Sequence, residues 1–499
     1  MNSVTSTTEL RAERRAKYHE ADVVVVGAGV FGCAVAFAMA KQGRSVLLLE
    51  RWMKEPDRIV GELLQPGGVA ALKKLGLGKC LKGIDAIPCY GYNVIYHGDN
   101  VAIPYPAVDD TTGKVTPGKP KDDTAKRPEG CAFHHGRFIM NLRRACMAEP
   151  NITVVETEVM ATIRGENSPR ILGVESKTTN KETGKKDPDY FFGTLTIIAD
   201  GYASKFRQQY LGSTAMVKSK FYALELIDCK LPEQGYGTVV IGKAPSPVLL
   251  YQIGSHETRV LIDVPIDLPQ ASVAAGGVRG YIQNTVLPTL PESVKPSMQT
   301  ALDRDNKIPK SMPNSWLPAE KQHQKGMLIL GDAFNMRHPL TGGGMTVAFN
   351  DVVILADVLR PSRVPVLTDD AAVEKAVAEF YWRRKSFSSI INVLAQALYS
   401  LFSAVGNWQL AALQKGCFGY FQRGLTDEPM GLLGGLIHQP MVLAYHFFSV
   451  AFLAIWISAC ETMSGPVGVL MFPIVLVHAV QILWRASVVF LPVLWRELK

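Results

Sequence analysis

Three glycines and one carboxylate near the start of the chain have a spacing that could hold a dinucleotide. Gly27, Gly29 and Gly32 lie in the stretch VVVVGAGVFGCAVA, in the order G-x-G-x-x-G, and Glu50 follows 18 residues after the third glycine. The first glycine permits a tight turn, the second lets the backbone approach a pyrophosphate, and the third lets a helix pack on a strand. An acid after the next strand can bind unphosphorylated ribose hydroxyls. Together these residues predict binding of FAD or NAD rather than a glycine-rich turn used only for packing.

A second group with chemical potential lies in the stretch GDAFNMRHPLTGGGM, more than 300 residues into the chain. Its acid follows a short apolar run, and its glycines precede an apolar helical pattern; these residues are Asp332, Gly342, Gly343, Gly344 and Met345. Glycine N–H groups at a helix N-terminus can hold an anion, and the missing Cβ atoms let a planar ring lie against the backbone. Arg337 and His338 lie between the acid and the glycines. They could line a bound ring or brace the loop, and the sequence does not choose.

Composition gives little support to nucleic-acid or metal binding. The chain has 499 residues, a formal charge of +8 and 47% hydrophobic residues, enough for two or three domains. Its dense basic stretch, at 11–17, contains no aromatic residues, which a nucleic-acid surface would be expected to have. His134 and His135 are adjacent and could not easily share one ion, and the eight cysteines form no C-x-x-C pair. We therefore expect no metal, and reduced thiols in a protein that faces the cytosol.

The elements that must position these residues follow from apolar patterns along the chain. A β-branched run at 21–26, a turn and helix at 27–41 and a strand at 45–50 predict a βαβ unit after a loose polar arm at 1–20. Short β-type runs between prolines at 215–315 predict a mixed sheet, and 327–330 a buried strand. Residues 370–415 have a helical apolar pattern, whereas 108–130 and 178–189 are polar and predict loops.

The end of the chain is unusually apolar. Residues 441–460 form an uncharged run of 20 residues, and 466–484 form a second of 19. Each run is barely long enough to span a bilayer, and Pro473, Arg485 and three histidines argue against two clean spans. We expect a helical hairpin embedded in or lying on one leaflet, with Trp456, Trp484 and Trp495 as interfacial anchors. A buried pair of core helices is the alternative.

Three motifs in order resemble the flavoprotein monooxygenases related to hydroxybenzoate hydroxylase. These are 27–50, the stretch IIADGYASKFR at 197–207, and 331–345. Four further segments resemble the squalene epoxidase (squalene monooxygenase) family, of fungal type: EPDRIVGELLQPGG, FHHGRFIMNLRR, SPVLLYQI and NVLAQALYSLF. The resemblance runs from about residue 20 to the end of the chain. The chain differs from animal members by lacking their long hydrophobic N-terminal extension and by carrying the charged insertion at 108–130.

The resemblance implies an α/β fold in three parts: a Rossmann-type FAD-binding domain like that of hydroxybenzoate hydroxylase, a mixed-sheet substrate domain, and a C-terminal helical membrane-associated region. The FAD-binding domain would comprise 21–90, 131–214 and 325–365, after the arm at 1–20. The substrate domain would comprise 91–130 and 215–324. Residues 366–430 would form a helical substrate-channel region, and 431–499 the membrane-anchoring helices.

The resemblance also assigns residues. The implied FAD contacts are Gly27, Gly29, Val30, Phe31, Gly32, Glu50, Arg51, Arg58, Arg137, Val159, Asp200, Asp332, Gly342, Gly343, Gly344 and Met345. Tyr92 and Gln65 match a tyrosine and its hydrogen-bonding neighbour close to the flavin, and we take them as the catalytic residues. Phe387, Leu394, Leu398 and Phe402 could wall an apolar substrate channel, and ordinary core packing is an equal alternative for these four.

The implied reaction is FAD-dependent epoxidation of squalene to (S)-2,3-oxidosqualene by dioxygen, through a flavin C4a-hydroperoxide, in sterol biosynthesis. No second dinucleotide fingerprint is evident, so the electrons would come from NADPH through a separate microsomal flavoprotein reductase. The location would be the endoplasmic reticulum membrane, with the catalytic domain facing the cytosol, and also lipid droplets. Two alternatives are a membrane prenyl reductase of the same flavin fold and a prenyl-binding escort protein without catalysis.

Overall fold

The computed structural model describes residues 7–109, 115, 127–180, 182–242, 244, 246–304, 308–404, 406–464 and 468–498. The strands are β1 (Glu20–Val26), β2 (Val46–Glu50), β3 (Leu63–Leu64), β4 (Ile87–Cys89), β5 (Gly91–Tyr96), β6 (Asp99–Pro104), β7 (Gly130–Ala132), β8 (Ile152–Glu156), β9 (Glu158–Gly165), β10 (Ser168–Thr179), β11 (Lys186–Ile198), β12 (Met216–Ile227), β13 (Tyr236–Ile241), β14 (Val248–Gln252), β15 (Glu257–Pro265), β16 (Lys310–Trp316) and β17 (Met327–Ile329). The α-helices are α1 (Thr7–Lys17), α2 (Val30–Lys41), α3 (Pro66–Lys74), α4 (His135–Met147), α5 (Lys205–Leu211), α6 (Gly277–Tyr281), α7 (Lys295–Arg304), α8 (Gly344–Val358), α9 (Asp370–Phe402), α10 (Trp408–Gln422), α11 (Asp427–Leu433), α12 (Pro440–Met463) and α13 (Phe472–Leu498).

The first large sheet contains the predicted βαβ unit and has the order β8-β2-β1-β11-β10-β9, with β17 beside β11. Strands β8, β2, β1, the second half of β11, and β17 run parallel. The valines at 23–26 are buried because helices cover the parallel strands, which explains why the strand is a continuous β-branched run. The carboxyl ends of β1, β11 and β17 lie side by side, and the motifs that begin at Gly27, Asp200 and Gly331 follow them directly. This edge therefore gathers the three motifs into one place.

The second large sheet is mixed, as predicted, with the order β16-β12-β15-β14-β13-β5-β6. Strand β5 pairs parallel with β13, so the early segment 91–104 belongs to the same sheet as the much later segment 216–316. One face of this sheet, which includes Val239, Leu249 and Leu261, packs in a cluster with side chains of α9 and the C-terminal helices. The other face packs against the segment that contains α6 and α7.

The C-terminal part consists of long helices. Helix α9 has 33 residues and contacts α8, α10 and α13. Helices α12 and α13 contact each other, and both are long and apolar enough to cross a membrane. Their outer surfaces remain open, since Trp456 and Trp484 are 66% and 70% exposed. The second apolar run was counted to 484, and α13 extends beyond it through Arg485 and Pro492. Residues 465–467, where the second run begins, lie outside the described residues.

Two local predictions were wrong. The arm is not loose in its described part, from residue 7 onward, because α1 docks on the first sheet through Arg15. The Arg15 guanidinium donates to Pro150 O at 2.6 Å and to Thr153 Oγ1 at 3.0 Å. The predicted loop at 178–189 is shorter, since β10 and β11 pair as far as Thr179 and Lys186. Most of the predicted 108–130 insertion lies outside the described residues.

Candidate active site

A cleft enclosing about 1510 Å³, including the part open to solvent, lies between the two large sheets. Nine of the predicted site residues line it: Gly29, Val30, Phe31, Arg58, Tyr92, Asp332, Gly342, Gly344 and Met345. The far end is largely apolar and is formed by Val239, Leu249, Leu250, Leu261 and Met312. The cleft therefore joins a backbone-lined end, beside the first sheet, to a hydrocarbon-like end beside the second sheet.

The three glycines of the first motif have different roles. Gly27 has a positive φ of 100°, and a Cβ placed on it would lie 2.5 Å from the oxygen of Ala199. A Cβ on Gly32 would lie 1.8 Å from the oxygen of Gly27, so this glycine permits the close approach of helix and turn. A Cβ on Gly29 would meet nothing within 4 Å, and Gly29 lines the cleft. The middle glycine thus leaves bare backbone where a pyrophosphate can approach.

Glu50 is held beside this turn by a residue that we did not predict. Its Oε2 accepts from the Ala28 N–H at 2.8 Å and lies 3.4 Å from Nη2 of Arg143. The Arg143 Nε also donates to Ala28 O at 3.0 Å, and its Nη1 to Trp52 O at 2.9 Å. Arg143 therefore fixes both the turn and the acid. Its segment had been matched to the family, but nothing in the segment distinguished this arginine from Arg137.

The two other motif acids lie on neighbouring strand ends. Asp332 is exposed and lines the cleft, so its carboxylate is available to a hydroxyl-bearing ligand. Asp200 is partly buried, and its Oδ1 has no hydrogen-bond partner among the described residues. Burial raises the pKa of this carboxyl. A buried acceptor without a partner is costly, which makes it a candidate contact for a bound ligand.

The glycine-rich loop after Asp332 packs against α9 on the side away from the cleft. A Cβ on Gly343 would lie 2.4 Å from the Cγ2 of Ile391, whereas a Cβ on Gly344, where α8 begins, would meet nothing within 4 Å. Only Gly344 of this pair lines the cleft. A helix N-terminus with an open glycine can approach an anionic group closely.

Arg337 both lines the cleft and braces this loop, which answers the question that the sequence left open. Its Nη1 donates to Gly344 O at 3.3 Å, and its Nη2 donates to Asn335 Oδ1 at 2.8 Å. Nδ2 of Asn392 reaches the same Asn335 oxygen at 3.2 Å and also donates to Oε2 of Glu497 at 3.0 Å. The loop is therefore tied through buried polar side chains to α9 and α13.

His338 faces away from the cleft wall and has a structural role. Its Nδ1 accepts from the Leu340 N–H at 3.2 Å, and its ring stacks on Tyr399 with centroids 3.8 Å apart. Burial lowers the pKa of this imidazole, although Asp263 opposes the shift. His338 thus packs the loop against α9 and the second sheet.

Tyr92 and Gln65, the predicted catalytic pair, are in contact. The Gln65 Nε2 donates to the Tyr92 hydroxyl at 2.7 Å and to Thr341 O at 2.7 Å. Tyr92 lines the cleft, whereas Gln65 is fully buried behind it. Burial raises the pKa of the Tyr92 hydroxyl well above its ordinary value, so the group stays protonated and can donate. A third residue, Tyr105, donates to Gln65 Oε1 at 2.5 Å and was not predicted.

Besides Gly27, Gly32, Glu50, Asp200 and Gly343, three further predicted FAD contacts do not line the cleft. Arg51 is exposed and sits over the Trp52 ring, 4.2 Å from its centroid. Arg137 is partly buried on α4, and Val159 is partly buried on β9, where its carbonyl accepts from Lys205 Nζ at 3.0 Å. Their roles stay predictions. Arg58, by contrast, lies at the cleft, with its guanidinium 5.5 Å from the Tyr202 ring centroid.

The four predicted channel residues do not line this cleft, and their role as a channel wall stays a prediction beside the packing alternative. Phe387 packs with Val347 and Ile391 and meets the His438 ring edge-on at 4.7 Å between centroids. Leu394, Leu398 and Phe402 pack in clusters with the C-terminal helices. The apolar pattern on α9 arises because other helices cover it. The apolar wall of the cleft comes instead from inward-facing positions of β13, β14 and β15.

One charged pair interrupts the apolar end, and sequence reasoning missed it. Glu62, which lines the cleft, accepts from Nε and Nη2 of Arg259 at 2.8 and 2.9 Å. Both side chains are buried, and the Tyr251 hydroxyl lies 3.4 Å from Glu62 Oε2. A bidentate pair satisfies both charges internally, so the wall presents little unpaired charge to a ligand.

These residues fit FAD. The open backbone at Gly29, the acid at Glu50, the unpartnered Asp200 oxygen and the open N-terminus at Gly344 lie around one cleft or its rim. Within the part of the chain that the structure describes, no group of three or more His, Cys, Asp or Glu side chains could hold a metal ion.

Comparisons with known proteins point in the same direction. A family model described as squalene epoxidase matches residues 192–472, and one described as FAD dependent oxidoreductase matches residues 22–54. Squalene epoxidase of Gibberella zeae is 63% identical over 500 residues, covering 100% of this chain and 99% of the relative. The Aspergillus fumigatus enzyme is 54% identical, covering 96% and 94%. Squalene monooxygenase of Mus musculus is 41% identical, covering 96% of this chain and 78% of the relative.

Two solved structures share the fold at low identity. A probable FAD-dependent monooxygenase from Pseudomonas aeruginosa has a TM-score of 0.60 at 20% identity and covers 79% of this chain and 98% of its own. The flavin-dependent brominase Bmp2 has a TM-score of 0.62 at 16% identity and covers 89% and 99%. These likenesses confirm the predicted FAD-binding α/β fold.

Proposed function

The chain belongs to the squalene epoxidase family, and from that premise we propose that it uses FAD and dioxygen to convert squalene to (S)-2,3-oxidosqualene in sterol biosynthesis. The observation that carries the proposal is the two-ended cleft. Its flavin end has open backbone at Gly29 and Gly344, and its other end is walled by apolar side chains of the second sheet. Squalene is a hydrocarbon with no hydrogen-bonding groups, so it can be selected only by such a wall and by shape.

Bound FAD, once reduced, supplies the electrons that activate dioxygen for addition to an alkene. The protein would position the cofactor and the substrate, exclude water from the cleft and stabilise negative charge on the flavin. Asp332 would accept from a sugar-like hydroxyl, and Gly344 at the start of α8 would offer its N–H to negative charge on the flavin. The Tyr92 hydroxyl lies at the cleft and stays protonated, so it could also donate a hydrogen bond there, where oxygen must be directed to the substrate. The apolar wall would exclude water, which would otherwise favour release of the reduced oxygen as hydrogen peroxide without product.

The two alternatives are less well supported. The relatives are named squalene epoxidase or squalene monooxygenase rather than prenyl reductase. An escort protein that had lost its flavin would not need open backbone at Gly29 and Gly344, nor an Asp200 Oδ1 without a hydrogen-bond partner among the described residues.

We also infer a separate electron donor and a membrane location. One dinucleotide turn of the G-x-G-x-x-G type is present among the described residues, which supports supply of electrons from NADPH through a microsomal flavoprotein reductase. Helices α12 and α13 expose apolar side chains over most of their length. We place them in the endoplasmic reticulum membrane with the catalytic domain on the cytosolic side, and the same hairpin would suit the surface of lipid droplets.

The test is to purify the chain in detergent, record the flavin absorbance, and supply squalene, NADPH, a microsomal reductase and oxygen. We expect 2,3-oxidosqualene in amounts that follow NADPH consumption. A flavin-loaded protein that makes a saturated product, or none, would contradict the proposal. Asp332→Ala should empty the flavin site, while Asp303→Ala on the exposed end of α7 should leave it full.

A further inference from the structure

Tyr105 lies behind the predicted catalytic pair in a rigid setting. It stands between Pro104 and Pro106, the second of which disfavours a helical backbone at Tyr105, and its side chain is fully buried. Its N–H donates to Tyr90 O at 2.9 Å. A Cβ on Gly434 would approach the Tyr105 ring to 3.2 Å, so the ring is also clamped from the C-terminal region. Little freedom remains for the Tyr105 hydroxyl except rotation about its own C–O bond.

The hydroxyl of Tyr105 begins a directed chain of hydrogen bonds. It donates to Gln65 Oε1 at 2.5 Å, and Gln65 Nε2 donates onward to the Tyr92 hydroxyl and to Thr341 O, both at 2.7 Å. A carbonyl oxygen cannot donate, so Thr341 fixes which end of the Gln65 amide is the NH₂ group. Both hydrogens of that amide are then used. The oxygen of Tyr92 therefore accepts, and its own hydrogen remains to be donated.

That hydrogen has two destinations. Thr341 O lies 3.2 Å from the Tyr92 hydroxyl, a long contact that Thr341 already shares with Gln65. The other destination is the cleft, which Tyr92 lines. Polarisation along a hydrogen-bond chain strengthens each successive donor, so a donor to Gln65 Oε1 makes the Tyr92 hydroxyl a better donor in turn.

We propose that Tyr105 is a positioning residue for catalysis, which acts through Gln65 to hold the Tyr92 hydroxyl as a hydrogen-bond donor toward the flavin and the oxygen bound there. The inference rests on the proposed function for its reaction, but the arrangement itself rests on the Tyr105–Gln65–Tyr92 contacts. Without the Tyr105 hydroxyl, Gln65 Oε1 is a buried acceptor with no partner. Gln65 then gains freedom to rotate, and Tyr92 loses its fixed orientation.

The test compares Tyr105→Phe with a matched control, Tyr281→Phe. Tyr281 is also buried, but its hydroxyl has no hydrogen-bond partner among the described residues and lies in the opposite core of the second sheet. With squalene, reductase and NADPH, we expect Tyr105→Phe to lower kcat about tenfold with little change in KM, because orientation rather than binding is lost. More NADPH should also be consumed per oxidosqualene formed. Tyr281→Phe should behave as the wild type.

A double variant separates positioning from general damage. If Tyr105 acts through Tyr92, then Tyr105→Phe should cause no further loss of kcat in a Tyr92→Phe background. The fluorescence of the bound flavin, which depends on the tyrosine beside it, should change with Tyr105→Phe in the wild type and not in that background. This second measurement needs no turnover, so it judges the inference even if squalene is not the substrate. Equal losses in both backgrounds, a loss shared by Tyr281→Phe, or unchanged kcat and fluorescence would each overturn it.

Discussion

Adjacent glycines in the glycine-rich loop after Asp332 should respond differently to substitution by alanine, because Gly343 faces α9 and Gly344 faces the cleft. Gly343→Ala drives a methyl group against Ile391 and should destabilise the fold by about 1–3 kcal/mol. Gly344→Ala meets no protein atom within 4 Å and begins a helix, so it should leave the stability of the flavin-free protein unchanged but weaken FAD binding. Thermal unfolding and FAD titration of the two variants would check this. Ile391→Ala should restore part of the stability of Gly343→Ala, and similar behaviour of the two single variants would contradict the assignment.

His135 should make the fold sensitive to mild acid. It is buried, its Nδ1 lies 2.8 Å from Gly61 O, and burial together with Arg58 lowers the pKa of its imidazole to about 4. Between that value and an ordinary histidine pKa of about 6.5, the unfolded chain binds a proton that the folded chain does not. Stability should therefore fall by about 3 kcal/mol as the pH decreases through this window, and His135 should contribute no pH dependence above it.

The check is the pH dependence of thermal unfolding in His135→Gln, which can still hydrogen-bond to Gly61 but does not titrate. Its curve should be flatter than that of the wild type between pH 4 and 6.5. Substitution of the exposed His256 should leave the slope in the lower part of that window unchanged, because Asp228 raises the pKa of His256 and moves its titration upward. An unchanged slope in His135→Gln would show that other groups cause the acid sensitivity.

Sequence spacing was enough to find residues whose roles depend on local geometry, and it failed for residues whose partners lie far away in the sequence. Gly29, Gly344 and Asp332 lie in short motifs whose local geometry carries their function. Arg143 and Tyr105 reach their partners over 115 and 40 positions of sequence. No local pattern marks such a pairing, because the backbone path that closes it is set by the whole domain.

At the level of elements, α8 and α9 are joined by a buried ion pair that should dominate their local stability. Arg384 donates from Nε and Nη2 to Asp351 at distances of 2.8 to 3.1 Å, and neither side chain is more than 4% exposed. Arg384→Met leaves the carboxylate buried without its cation and should cost about 3–5 kcal/mol. Adding Asp351→Leu should recover much of the loss in a thermal unfolding measurement. Arg363→Met, which removes an exposed pair with Glu379, should have little effect, and an equal effect would contradict the role of burial.

The positions of the helices and strands were largely predictable from the sequence. Which face of each element packs against which neighbour was not. The buried strands β1, β2 and β17 stand out as continuous apolar runs, and α9 stands out by its helical apolar period. The same apolar pattern on α9 suggested a channel wall, whereas the structure covers that face with other helices. A hydrocarbon substrate and a neighbouring helix require the same side chains, so sequence alone cannot separate them.

For the whole molecule, the exposed tryptophans of the C-terminal hairpin should govern membrane attachment. Trp456 and Trp484 project from α12 and α13. We expect Trp456→Glu and Trp484→Glu together to reduce co-sedimentation with phospholipid vesicles several-fold, because each change places a charge where apolar surface must be buried. Flavin content should not change. Trp382→Glu, on α9 and 52% exposed, is the matched control and should still sediment fully. Loss of flavin in the double variant would instead indicate damage to the fold.

The overall plan of two sheets and an apolar tail followed from composition shifts along the chain. The pairing of β5 with β13 brings 91–96 beside 236–241, as a discontinuous substrate domain requires, and that division came from the family resemblance rather than from any local signal. Arg485 shows the limit of composition. We expected its charge to argue against a clean membrane span, and composition alone did not show that α13 continues through it.

The buried hydrogen bonds that support the glycine-rich loop after Asp332 also constrain the order in which the protein can fold during its synthesis. Asn335 depends on Asn392, 57 positions later, and Asn392 in turn depends on Glu497, another 105 positions on. A ribosome delivers these residues in order, so the loop lacks its full support until both helices of the hairpin have emerged. Stable flavin incorporation should therefore follow insertion of the hairpin during biosynthesis, and nascent chains stalled before Glu497 should be released without tightly bound flavin.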